Sequence, residues 1–160
     1  MKSIIVEDKE YIRKGLINLL SIIDADVEII GECESVQEAV VVTKTCKPEL
    51  IFLDINLSDG TAFDFLEKID SIDFKIIFIT AYEEYALKAL KIGAVDYLLK
   101  PVDVEELKTA LNKVAKLTAA DQKNQIAKAK QVFNNEGNHL ILSFHIGTST
   151  NPCPRPTAPR

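Results

Sequence analysis

The sequence predicts an α/β fold: a doubly wound, five-stranded parallel sheet of strand order 2-1-3-4-5, flanked by five helices. Three observations predict it. Short runs rich in β-branched residues alternate strictly with stretches of helical periodicity, the pattern of repeated βαβ units buried on both faces. The 160 residues are 47% hydrophobic, enough for a full core without disulfide or metal staples. Four of the apolar runs also end on a polar residue, as strands do when their carboxyl ends open onto a shared crevice.

Strand one covers about residues 2–6, and a helix follows near 9–21 with Ile12, Leu16, Leu19, Leu20 and Ile23 at helical spacing. Strand two is 27–32. The second helix opens at Ser35-Val36-Gln37-Glu38, a capping-box pattern in which serine and glutamate reciprocally satisfy free backbone N–H groups. Pro48 separates that helix from strand three, 49–53. Residues 56–60 read as a loop, with Gly60 at a position where positive φ costs little. A third helix carrying Phe63, Leu66 and Ile69 leads to strand four, 75–79. The fourth helix, 83–92, is closed by Gly93 at C′. Strand five is 95–99, and Pro101, lacking an N–H, ends its ladder. Asp103 caps the last helix, whose apolar stripe is Val104, Leu107, Leu111, Val114 and Leu117. The domain is expected to occupy 1–118, followed by a helical extension or linker over 119–136. Residues 137–160 read as the truncated start of an output domain or a disordered tail, since four prolines after Gly147 preclude regular packing.

The net charge of −5 hides an asymmetry: residues 1–120 carry 14 Lys/Arg against 22 Asp/Glu, and residues 121–160 carry five against two. An acidic globular part argues against direct nucleic-acid binding, which calls for a basic face. Cys33, Cys46 and Cys153 are odd in number and match no paired metal spacing. No apolar stretch approaches the roughly 20 residues needed to span a bilayer, and the N-terminus runs straight into a strand with no secretion signal before it. The expectation is a cytoplasmic protein with no membrane contact.

The chemistry lies at the strand ends. Ser3-Ile4-Ile5-Val6 runs into Glu7-Asp8, and Leu50-Ile51-Phe52-Leu53 into Asp54. Ile76-Ile77-Phe78-Ile79 ends on Thr80, and Val95-Asp96-Tyr97-Leu98-Leu99 on Lys100-Pro101. In a parallel sheet these side chains gather at one edge. Converging acids repel one another unless a cation sits among them, and a hard divalent ion such as Mg²⁺ suits a site with few oxygen ligands. Lys100 over the same crevice can pair with Asp54 or with a phosphoryl oxygen. Each signal has a bland reading: an acid pair solvates a strand end, threonine is a common strand residue, and a lysine there is an ordinary surface charge. Their joint register is what carries the reading.

These residues, with Leu53-Asp54-Ile55-Asn56-Leu57-Ser58-Asp59-Gly60, Thr80-Ala81 and Tyr97-Leu98-Leu99-Lys100-Pro101, resemble the receiver domain of two-component response regulators, a flavodoxin-like fold. The resemblance covers residues 1 to about 118. It implies a phosphorylation switch and not a true enzyme: Asp54 accepts a phosphoryl group from a sensor histidine kinase. Asp8 and Asp54 would ligate Mg²⁺ directly, Glu7 through a water and Asn56 through its backbone carbonyl. Lys100 would bridge to the acyl phosphate. Thr80 and Tyr97 would be the switch pair, Ala81 and Pro101 would accommodate the change, and a cis Lys100–Pro101 peptide would aim the ammonium inward. Asn56 and Tyr82 would flank the path of hydrolytic water. Ser58 departs from the pattern, standing where proline is frequent. The readout face would be helix four, strand five and helix five, available for homodimerisation.

The stretch Phe78 to Leu90 is similar to receivers attached to LytTR-type DNA-binding domains. DNA would then be reached only through an output domain absent from this sequence. Two other classes fit worse. A flavin binder needs a hydroxyl- and glycine-rich phosphate loop where this chain has Glu7-Asp8-Lys9-Glu10, and a dehalogenase-type phosphatase needs Asp-x-Asp where this chain has Asp54-Ile55-Asn56.

Overall fold

The computed structural model describes residues 1–23, 26–117, 121 and 124. The expected extension over 119–136, those two positions apart, and the expected tail over 137–160 lie outside the described residues.

Five strands, β1 (Lys2–Val6), β2 (Glu28–Cys33), β3 (Leu50–Leu53), β4 (Lys75–Thr80) and β5 (Asp96–Leu99), form one parallel sheet. Their order is β2-β1-β3-β4-β5, as expected. The connecting helices are α1 (Glu10–Ile22), α2 (Val36–Cys46), α3 (Ala62–Glu67), α4 (Ala86–Lys91) and α5 (Val104–Lys116).

Side chains alternate across the sheet because the strand period is two. Ile4, Val6, Ile51, Leu53, Ile76 and Phe78 face one side, against Ala39 and Val42 of α2, Phe65 of α3 and Ala89 of α4. Ile5, Leu50, Phe52, Ile77, Ile79 and Leu98 face the other, against Leu16 and Leu20 of α1 and Leu107, Ala110 and Val114 of α5. Each fully buried side chain of this kind contributes about 1.5–3 kcal/mol relative to exposure. The register keeps the strands level at their carboxyl ends, pairing Val6 with Leu53, Leu53 with Phe78 and Thr80 with Leu99. At the opposite edge, Lys75 Nζ donates to the Val114 and Leu117 carbonyls at 2.9 and 3.4 Å, tying the last turn of α5 to the start of β4.

Local chemistry differs from expectation in four places. Ser35 Oγ accepts from Glu38 N–H at 3.1 Å, but the Glu38 carboxylate accepts from Glu34 N–H at 2.7 Å, so the expected capping box is only half formed. A complete box stands instead at Thr61 and Asp64, opening α3. The 56–60 segment is not a plain loop, since Asn56–Leu57 pairs antiparallel with Gly60–Thr61. Gly60, at φ 158°, is nearly extended, and a Cβ there would lie 2.9 Å from Asp64 Oδ2, pressing on the carboxylate that completes the box at Thr61. Two helices are shorter than their patterns. α3 tightens into i→i−3 bonds at Lys68 and Ile69, which leaves Ile69 packed on the core from outside the helix. The fourth pattern begins as a 3₁₀ turn, Glu83–Tyr85, before α4, and Gly93 then takes φ 82° as expected.

Candidate functional site

Glu7, Asp8 and Asp54 follow the ends of the adjacent strands β1 and β3. Backbone ladders hold them level: Asp54 N–H donates to the Val6 carbonyl and Glu7 N–H to the Cys33 carbonyl, both at 2.9 Å. One carboxylate oxygen from each of the three acids lies within 4.8 Å of the others. Glu7 and Asp54 are only 3% and 6% exposed, and Asp8 is half-buried.

Lys100 reaches the cluster from the end of β5, after its own N–H has donated to the Thr80 carbonyl at 2.9 Å. Its ammonium donates to Asp54 Oδ2 at 2.8 Å and to Glu7 Oε2. The Lys100–Pro101 peptide is cis, as the resemblance implies. Asp54 Oδ1 accepts from Ile55 N–H at 2.7 Å, and Glu7 Oε1 from Lys9 N–H at 3.0 Å.

One ammonium does not neutralise three acids. Burial and the neighbouring Asp8 and Asp54 carboxyls push Glu7 up to about 7, against the opposing pull of Lys100. Burial works against the Lys100 ammonium, yet its bonds to Asp54 and Glu7 prevail and raise its pKa. Crowded, hard oxygen donors short of positive charge fit a divalent cation of the Mg²⁺ kind.

The hydroxyl side of the site lies one strand away. Thr80 is fully buried at the end of β4, and its hydroxyl accepts from Tyr82 N–H at 3.4 Å. Tyr97 turns its ring inward onto Phe78, centroids 6.0 Å apart, and its hydroxyl donates to the Tyr82 carbonyl. Burial, together with Glu84 and Asp54, pushes the Tyr97 phenol up to about 12. Ala81 is exposed, Tyr82 is 39% exposed beside it, and Asn56 opens the small hairpin after Asp54. Glu7, Asp8, Asp54 and Lys100 therefore meet directly, while Thr80, Tyr82 and Tyr97 form an adjoining group linked through the Tyr82 backbone.

Two polar residues had been given no role. Arg13 is 6% exposed, with its guanidinium on the Glu7 carbonyl. Its sequence signal was a charge within the buried stripe Arg13-Leu16-Leu20 of α1. Asp59, five positions past Asp54, accepts from the N–H groups of Val36 and Gln37 at 2.6 and 3.1 Å, capping α2.

Comparison with known proteins places this geometry in a family. A family profile described as response regulator receiver domain matches residues 4–112. The chain is 40% identical over 116 residues to the sensory transduction protein LytR of Staphylococcus epidermidis, covering 71% of this chain and 46% of that protein. It is 36% identical over 147 residues to the sensory transduction protein LytT of Bacillus cereus, covering 91% of this chain and 57% of that protein. The chain thus spans about half the length of such relatives. Among solved structures, the response regulatory domain of mrkE from Klebsiella pneumoniae is 31% identical with a TM-score of 0.66, covering 72% of this chain and 95% of that one. A LuxR-family DNA-binding response regulator from Staphylococcus aureus is 27% identical with a TM-score of 0.63, covering 71% of this chain and 97% of that one.

Proposed function

The chain belongs to the response regulator receiver domain family, and on that premise we propose that it is a Mg²⁺-dependent phosphorylation switch with Asp54 as phosphoacceptor. The observation that carries the reading is the Lys100 ammonium shared between the buried carboxylates of Asp54 and Glu7, with Asp8 beside them.

The donor would be the phosphohistidine of a sensor histidine kinase. An Asp54 carboxylate oxygen attacks phosphorus, the P–N bond breaks, and its electron pair returns to the imidazole. Such transfer is governed by alignment and charge neutralisation more than by covalent machinery. Lys100 already spans Asp54 and Glu7, so it is placed to follow the new phosphoryl oxygens. Glu7, Asp8 and Asp54 would hold the cation with the Asn56 carbonyl, and the cation supplies charge neutralisation when bound. Thr80 would turn its hydroxyl from Tyr82 N–H to a phosphoryl oxygen. Because Tyr82 also holds Tyr97 through its carbonyl, that movement reaches β5. The group's added charge of nearly −2 would bias the face of α4, β5 and α5. Water attack on phosphorus resets the switch and releases inorganic phosphate, past Asn56 and Tyr82.

The output would be a transcriptional domain of the LytTR type. The likeness to Bacillus cereus LytT supports this, because 91% coverage exceeds what residues 1–118 of the 160 can supply. The α4–β5–α5 face would also serve homodimerisation. Among the described residues no helix is long and apolar enough to cross a membrane.

The test is intact-mass measurement after incubation with acetyl phosphate and Mg²⁺. One phosphoryl group is expected, absent in EDTA and absent in Asp54→Asn. Multiple turnover without accumulation, or full labelling of Asp54→Asn, overturns the reading.

A further inference from the structure

We propose that Arg13 is a positioning residue for the acidic site, holding the strand end that carries Glu7 and Asp8 in place relative to Asp54. This rests on the reading of that site as a cation and phosphoryl centre.

A buried guanidinium must have its donors met, and Arg13 is only 6% exposed. Nη1 donates to the Glu7 carbonyl at 2.7 Å, inside the protein. Nε donates to Glu32 Oε1 at 3.2 Å and Nη2 to Glu34 Oε1 at 3.1 Å. One planar fork therefore joins α1 to three places: the peptide between Glu7 and Asp8, strand β2, and the segment between β2 and α2.

The Glu7 contact is what gives the fork a function. The Glu7 carbonyl belongs to the peptide plane that precedes Asp8, so fixing it fixes the direction in which the Asp8 side chain leaves the backbone. Arg13 also borders the small crevice shared by Glu7 and Asp54. Its charge is spent on Glu32 and Glu34, which are partly or largely exposed, and not on the acids of the site. The cluster thus stays short of positive charge, as a cation site requires.

The Glu34 contact extends the frame to the other side. Glu34 offers its carbonyl to Ser58 Oγ at 3.3 Å, and the neighbouring Asp59 caps α2. The segment before α2 is therefore keyed between the loop bearing Glu7-Asp8 and the loop following Asp54. Partners that orient a ligand group from behind commonly govern metal affinity by 10–100-fold. Lysine keeps the charge of Arg13 but not the planar fork.

The test compares Arg13→Lys and Arg13→Met with Val114→Ala, a control that opens a cavity beneath α5, far from the site. Mg²⁺ affinity is measured by calorimetry and thermal stability by unfolding, well below each variant's Tm. Both Arg13 variants are expected to bind Mg²⁺ roughly tenfold more weakly, while Val114→Ala loses stability and keeps wild-type affinity. Three results overturn the proposal: unchanged affinity in both Arg13 variants, wild-type affinity in Arg13→Lys with loss only in Arg13→Met, or an equal loss in Val114→Ala. Failure of the wild type itself to bind Mg²⁺ is a separate outcome that removes the functional reading and this inference together.

Discussion

The helices α4 and α5, on opposite faces of the sheet, are held very differently. On one, α1 and α5 run 13 residues each, and α5 seats Leu107, Ala110 and Val114 in an aliphatic layer. On the other, the 11-residue α2 and the short α3 bury four residues each, whereas the six-residue α4 buries only Ala89 and leaves Leu87 and Leu90 75% and 57% exposed. The second face also carries the aromatic chain of Phe63, Phe78, Tyr85 and Tyr97. α5 is anchored to its face and α4 is lightly held on the other. A phosphoryl group at the shared edge would have least to overcome at α4, since elements with few buried contacts open at low free-energy cost.

The strongest way to break this contrast is to watch both layers respond at once. Hydrogen exchange after acetyl phosphate and Mg²⁺ should change over residues 80–93 and little over 104–116, and Asp54→Asn should erase the change completely. Equal changes in both layers would refute the contrast. Next in size are truncations. Leu107→Ala should cost about 2–5 kcal/mol, whereas Leu87→Ala should stay within about 0.5 kcal/mol; similar losses in denaturant unfolding would show α4 to be as firmly packed as α5. Asp103 accepts from the N–H groups of Glu105 and Glu106 at 2.8 and 3.1 Å, so Asp103→Ala should cost about 1 kcal/mol and loosen the anchored layer alone. Tyr82→Ala should shorten the life of phosphorylated Asp54, read as phosphate release, because the bulky ring stands beside the site; slower release in the variant would count against that. The smallest effect is on reactivity. Burial pushes Cys33 up to about 12, so below pH 9 its thiol is neutral in both folded and unfolded chains and its contribution to stability is intact. That contribution is lost only as pH rises toward 12. Peptide-mapped alkylation at pH 8 should leave Cys33 unmodified until denaturant is added.

Much of this was legible in the chain. All five strands stand within a residue or so of their expected bounds; four hold an apolar run between polar breaks, and β2, interrupted by Gly31 and Glu32, still stands between turn-like segments. The acids, Thr80 and Lys100 were legible because chemistry sits at the ends of those runs. Helix ends were less so. Ile69 has helical spacing yet lies past α3, since periodicity reports which side faces the core and not where the i→i−4 ladder stops. Glu38 shows the same limit: its spacing fits a capping box, but the carboxylate chose Glu34 N–H over Ser35 N–H. Arg13 is harder to read: its spacing to Leu16, Ile17 and Leu20 puts it on the apolar stripe of α1, but a charge there commonly snorkels to solvent, and only the burial and the Glu7 carbonyl together show a role.

The bonds from Lys75 to the Val114 and Leu117 carbonyls have a geographical consequence. They pin the last turn of α5 to the sheet edge farthest from Asp54, with the six-residue β4 between, about 17–20 Å of strand. Leu117 itself therefore lies at the pole opposite the one where the phosphoryl group would arrive. To reach Leu117 from Asp54, news of that arrival would have to cross the body of the domain or travel around the flank that α4 covers.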